Sequence, residues 1–296
     1  MPGNSIWFIL ASAVMLALYD LAKKASVREN DVLRVLLAST AFGFAAYAAG
    51  LVASGHGFRA ADFTFRVLAF GAVKSIVVGT SWVFTFLALR TLPVSIATPV
   101  RASAPAIILL IAIPVYGERP DFLQAVGMVG VFAGYFVFSW AGRHEGIDFL
   151  RDKAVRCAVA GAFFSAVSAL WDKYVFQVSA LPVEEVQLVF QAGLVFFYAT
   201  ALVSLRRFKA VSAGGFEWRW TIPFVGILLA GADWLYFKGL SIPEVSVSMA
   251  SLLRSFSVVI TFLLGARIFK ETNLCRKSLA LAVIVAGIVL ICLGGH

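Results

Sequence analysis

Apolar runs long enough to cross a bilayer, recurring from one end of the chain to the other, fix its class before anything else. A spanning α-helix needs about 20 consecutive, mostly apolar residues. Ten stretches meet that measure: residues 5–25, 32–54, 66–90, 93–116, 122–140, 154–178, 184–205, 220–240, 243–268 and 277–294. Composition agrees with them. The 296 residues are 61% hydrophobic and 14% charged, with a mean hydropathy of +0.91, whereas a soluble domain is about 45–50% apolar and about 25% charged. A soluble enzyme, a disordered chain and a disulfide scaffold are excluded. The three cysteines, Cys157, Cys275 and Cys292, have unrelated spacings. The expected fold is an all-α membrane protein of ten transmembrane helices.

Connections are short. The longest, from about Ala141 to Lys153, carries Arg143, His144, Glu145, Asp148, Arg151 and Asp152 and leaves no room for a soluble domain. No basic stretch precedes the first apolar run and no small-residue cleavage site follows it, so it reads as a retained helix rather than a signal peptide. The net charge of +9 is expected to face anionic lipid. No run of arginines interleaved with aromatics suggests a nucleic-acid partner.

The two halves of the chain echo each other. ALYDLAKK (17–24) matches ALWDKYVF (169–176), setting Asp20 against Asp172 at an offset of 152. GTSW (79–82) matches GADW (231–234) at the same offset, setting Trp82 against Trp234. SIATPVRASAPAIILLIAIPVYGE (95–118) matches SMASLLRSFSVVITFLLGARIFKE (248–271) and aligns Arg101 with Arg254 and Glu118 with Glu271. The expected organisation is a five-helix repeat over 1–142 and a second over 143–296. Five is odd, so the second copy runs through the membrane inverted, a transporter device that places substrate at the repeat interface near the midplane.

Loop charges agree with the inversion. Lys23, Lys24, Arg28 and Arg34 follow the first stretch, Arg90 the third, and Arg143, Arg151, Lys153 and Arg156 the fifth. Arg206, Arg207, Lys209 and Arg219 follow the seventh, and Arg267, Lys270, Arg276 and Lys277 the ninth. The opposite side carries Arg59, Arg66, Arg119, Lys173 and Lys238. By the positive-inside rule the first set is cytoplasmic and both termini lie outside.

Ten helices, two inverted repeats and a Gly-Glu or Lys-Glu closing the fourth and ninth stretches resemble the drug/metabolite transporter superfamily. ALRTLPVSIATPVRASAPAIILLIAIPVYGERP (88–120) is similar to the signature of its EamA-type exporters. The resemblance implies export of a small metabolite across a bacterial inner membrane, and termini in the cytoplasm, opposite to the loop charges. Family members carry amino acids, sugars, nucleotide-sugars, phosphorylated sugars and drugs, so the resemblance leaves the substrate open. Many of the amino-acid exporters have small or apolar residues where Arg101 and Arg254 stand.

Ionisable groups inside the hydrocarbon cost about 2.5–3.5 kcal/mol each and belong against a cavity or each other. Lys74, Arg101, Arg254, Asp172 and Asp233 fall deep in their stretches. The set has one surplus positive charge, and arginine does not lose its proton. Arg101 and Arg254, one from each repeat, are therefore the expected substrate clamp, since guanidinium binds carboxylate or phosphate bidentately. The competing reading makes Asp172 and Asp233 structural partners of the arginines and lets Lys74 snorkel. Pro99, Pro105 and Pro114 bend the same helix that bears Arg101. Asp20 and Asp172, each after an aromatic residue and beside lysines, are candidates for proton exchange or for interfacial ion pairs. Trp82, Trp234, Tyr236, Gln187 and Gln191 complete the candidate lining, with helix–helix hydrogen bonding the other role for the two glutamines. Glu118 and Glu271 read as helix-end caps.

No cofactor motif and no metal-ligand spacing occur, and His56, His144 and His296 lie outside the apolar runs. The expected function is a secondary active transporter moving a small anionic or zwitterionic metabolite by alternating access. Two alternatives stand beside it: a proton-coupled exporter of cationic drugs or amines, and an intramembrane enzyme acting on a lipid phosphate. Monomer and homodimer are both compatible with the sequence.

Overall fold

The computed structural model describes residues 3–55, 57, 59–93, 97, 107–108, 110–111, 121–143, 151–207, 215–242, 247–269 and 274–293. These contain nine α-helices: α1 (Gly3–Val27), α2 (Val32–Ala53), α3 (Phe65–Thr91), α4 (Phe122–Arg143), α5 (Lys153–Lys173), α6 (Val183–Arg207), α7 (Thr221–Leu240), α8 (Val247–Ile268) and α9 (Leu274–Leu293). They match nine of the ten expected stretches. The remaining one, 93–116, lies largely outside the described residues, and with it Arg101, Pro99, Pro105 and Pro114. Glu118 and Glu271 lie outside them too.

Four spans are long and apolar enough to cross a membrane by length and composition: Val32–Ala53, Phe65–Thr91, Lys153–Val178 and Val183–Ser204. Shorter apolar helical stretches cover Ala125–Gly134, Phe256–Ile268 and Ser278–Gly287. Helices α1 and α7 carry more charge, with Asp20, Lys23 and Lys24 on one and Asp233 and Lys238 on the other. Helix starts follow from local chemistry. The side chains of Asp31, Thr64 and Asp152 accept hydrogen bonds from the backbone N–H groups of Arg34, Val67 and Ala154, satisfying donors that a first turn otherwise leaves orphaned.

Helix pairing carries the duplication into three dimensions. α1 packs on α7, and α5, the repeat partner of α1, packs on α3, the partner of α7. α2 on α7 is matched by α6 on α3, while α2–α6 and α4–α9 are pairs that map onto themselves. The inversion follows from three sets of contacts. Lys24 Nζ donates to Leu89 O at 2.6 Å and Leu92 O at 2.7 Å, so α1 and α3 end on the same side. Trp171 Nε1 reaches Phe70 O at 3.2 Å, and Ser81 Oγ reaches Gly161 O at 2.8 Å, so α3 and α5 are antiparallel. Helix α5 therefore runs opposite to α1, its own repeat partner.

Where α2 crosses α7 the backbones touch. A Cβ on Gly43 would sit 2.8 Å from Gly226 O, and one on Gly226 would sit 2.7 Å from Gly43 N. Small residues at such crossings let membrane helices pack closely where lipid offers no hydrophobic drive. α5 passes into a π-helical turn, Tyr174–Val178, directly after Asp172 and Lys173, and the turn is followed by Ala180 at φ 48°. π-turns inside helices frequently mark functional sites.

Candidate functional site

The charges that cost most in a bilayer converge on one hollow. A cavity of about 150 Å³ lies among α1, α3, α5, α7 and α8, so helices of both repeats bound it. An apolar cavity of that size holds a molecule such as benzene. Each wall is one helical stripe: Leu16, Tyr19 and Lys23 on α1; Lys74, Val78, Ser81, Trp82 and Thr85 on α3; Ser165, Ser168, Ala169 and Asp172 on α5. Leu229, Asp233, Tyr236 and Phe237 come from α7, and Arg254, Ser257 and Val258 from α8. The spacings of three, four and seven residues put each set on one face.

Three ion pairs organise the wall. Lys74 Nζ donates to Asp172 Oδ1, joining α3 of the first repeat to α5 of the second. Arg254 Nη2 donates to Asp233 Oδ1 at 2.5 Å, within the second repeat. Lys23 Nζ donates to Asp20 Oδ1 at 2.8 Å, within the first. Lys74 is 2% exposed and Lys23 and Asp20 1% each, so all three are interior groups. Each cation also lies over an aromatic ring, which offers a weak negative face. Lys74 Nζ is 4.1 Å from the ring centre of Phe237, Arg254 Cζ 4.3 Å from that of Tyr236, and Lys23 Nζ 4.4 Å from that of Tyr19. Among the described residues, every cation of the wall has its own carboxylate.

This placement sorts the residues singled out in the sequence. Arg254, Lys74, Trp82, Tyr236, Asp172 and Asp233 meet in the cavity wall. Asp20 pairs with Lys23 in the protein interior. Asp172 neutralises Lys74 instead of an arginine, because α3 and α5 bring these two together across the repeat boundary. Lys74 does not snorkel; rings and a carboxylate enclose it. Trp234 packs beside Tyr236 and Phe237 and is not among the described residues that border the cavity. Gln187 and Gln191 do not border it either. Gln187 is fully buried and spends its amide on Ala230 O at 2.8 Å, the helix–helix role. Arg101 lies outside the described residues, so of the two arginines expected to form a clamp only Arg254 is placed.

The structure also supplies residues that the sequence reading passed over. Lys23 belongs by sequence to the basic residues that follow the first stretch, yet α1 continues to Val27 and carries it into the interior. Its signal was the three-residue spacing from Asp20, which puts both on one helix face. Ser81, Thr85, Ser165, Ser168 and Ser257 add hydroxyls to the wall. Small hydroxyl residues are common in apolar helices, so nothing short of the stripe itself marks them. Among the described residues no group of three His, Cys, Asp or Glu is placed to hold a metal ion.

The arrangement binds and compensates charge inside apolar helices. It presents both signs, several hydroxyls and aromatic faces to the hollow between the two repeats. A solved structure titled only "Crystal structure of protein" shares the fold, with a TM-score of 0.67 at 19% sequence identity over 96% of this chain and 95% of that one. No curated protein matches the chain. The sequence profile of the EamA-like transporter family matches residues 3–140 and again residues 152–293. Two copies of that profile cover nearly the whole chain, in the two repeats that the helix pairing reveals: the protein belongs to the EamA-like transporter family, within the drug/metabolite transporter superfamily.

Proposed function

We propose that this membrane transporter is a secondary active exporter of a small zwitterionic or anionic metabolite, working by alternating access across a bacterial inner membrane. One observation carries the reading: a cavity bounded by both repeats whose described cations and carboxylates are matched one to one. A molecule bearing both signs can exchange its own charges for those of an ion pair without leaving a net charge buried. A cation alone would leave a positive charge over, and an anion alone a negative one unless Arg101 compensates it. Arg254 holds the anionic group as Asp233 gives way, and Arg101, its counterpart in the first repeat, is the expected second half of the clamp. Asp172 and Asp20 are the groups through which a proton gradient would couple. The distribution of loop lysines and arginines favours both termini outside, even with Lys23 removed from that tally.

The test is counterflow in sealed proteoliposomes. Preloaded vesicles should accumulate labelled amino acids or small organic acids, and Arg254→Gln and Arg101→Gln should each abolish accumulation while leaving a folded, inserted protein. Normal transport by either variant removes the clamp. Substrate turnover in detergent, with no sealed compartment, would replace the transporter by an enzyme. Reporter fusions to each terminus decide the orientation.

A further inference from the structure

The ion pairs leave two polar groups of the wall unused. Arg254 gives Nη2 to Asp233, but its Nε is buried without a hydrogen-bond partner. Ser257 is 1% exposed, and its Oγ is also unpartnered. The two residues are three apart on α8, hence on one face, and both border the cavity. A serine inside a helix usually bonds the carbonyl one turn back. Ser26 and Ser75 do so here, on Ala22 O and Gly71 O. Ser257 does not, although leaving a buried hydroxyl unsatisfied is unfavourable.

We infer that Arg254 Nε–H and Ser257 Oγ–H form a carboxylate subsite within the transport cavity, with Ser257 as the residue that reads the group. The inference rests on the transporter reading and sharpens it. Two adjacent donors suit the two oxygens of a planar carboxylate. Tyr236 lies under the guanidinium, 4.3 Å from Cζ to ring centre, and fixes its plane. Asp233 accepts from Nη2 of the same guanidinium, and its carboxylate repels a doubly charged oxyanion more strongly than a carboxylate, which disfavours phosphate. The cavity of about 150 Å³ admits a small acid and not a nucleotide-sugar. Asp172 and Asp233, in the same wall, offer acceptors to an ammonium group on the ligand.

Binding to the purified full-length protein in detergent tests this without any transport step. The probes are alanine, valine, leucine and phenylalanine, each beside its amide, with inorganic phosphate as the rival oxyanion; thermal shift and titration calorimetry read the affinity. The acids should bind at least tenfold more tightly than their amides. Ser257→Ala should weaken the acids by about tenfold, the effect of one hydrogen bond to a charged group, and leave the amides unchanged. Ser257→Thr, which keeps the hydroxyl, should restore the difference. Equal binding of acid and amide, binding by none of the acids, or phosphate binding above every acid would overturn the assignment. So would a Ser257→Ala variant that melts earlier while keeping the acid-to-amide ratio. The same acids in counterflow separate this failure from that of the transporter reading. Discriminating binding without counterflow removes transport and keeps the subsite; counterflow indifferent to Ser257→Ala does the reverse.

Discussion

Replacing Lys74 by methionine removes one partner of the only described ion pair that joins the two repeats, while roughly keeping side-chain volume. Asp172, itself buried, then loses the ammonium group that lies over the Phe190 and Phe237 rings. Removing one member of a buried pair costs about 3–5 kcal/mol. Proton uptake sets a ceiling, since neutralising a carboxylate of ordinary acidity at pH 7 costs about 4 kcal/mol. Lys74→Met should therefore lose about 3–4 kcal/mol, measured by reversible unfolding in mixed detergent and SDS micelles. The double variant Lys74→Met/Asp172→Leu leaves no orphaned charge and should recover most of the loss at pH 7. A single variant as stable as wild type, or a double variant no better than the single, would refute the reasoning.

Other consequences are smaller or more local. Gly226→Ala drives a methyl group into the backbone of Ser39 and Gly43, so α2 and α7 must separate; a loss of more than about 2 kcal/mol is expected, read by the same unfolding assay. Lys24→Met frees the carbonyls of Leu89 and Leu92 at the end of α3, which should cost about 1.5–3 kcal/mol and raise amide exchange across the last turn of that helix. Asn30→Ala removes the side chain that bonds both Glu217 O and Glu217 N–H; about 1–2 kcal/mol should go, with faster proteolysis near residues 215–219. Trp82→Ala enlarges the cavity on its α3 side and should broaden transport toward bulkier substrates in competition assays.

Helix number and order were legible because a spanning helix writes its length directly into hydropathy. The ends of α2, α3 and α7 fall within a residue or two of the apolar runs. The duplication was legible in Asp20 and Asp172 and in Trp82 and Trp234, because equivalent positions kept equivalent side chains. The choice of partner was not. Asp172 and Lys74 are joined by antiparallel packing of two helices distant in sequence, and charge counting cannot tell that partner from Arg254. Lys23 was hidden by the lysine beside it: adjacent helix residues diverge by about a third of a turn, so Lys24 caps α3 while Lys23 points inward. Trp234 shows the converse, since its repeat partner borders the hollow and it does not.

Gly226, on the α7 side of the α2–α7 crossing, has a counterpart in the first repeat, and it is Lys74. Equivalent positions of the two repeats thus meet opposite demands: bare main chain in one copy, a long charged arm in the other. A dimer of identical five-helix subunits would have to meet both with a single amino acid, and neither glycine nor lysine can. A single chain that carries both repeats is free of that restriction, and the hollow as it stands, with Lys74 of the first repeat facing Asp172 of the second, needs halves that differ.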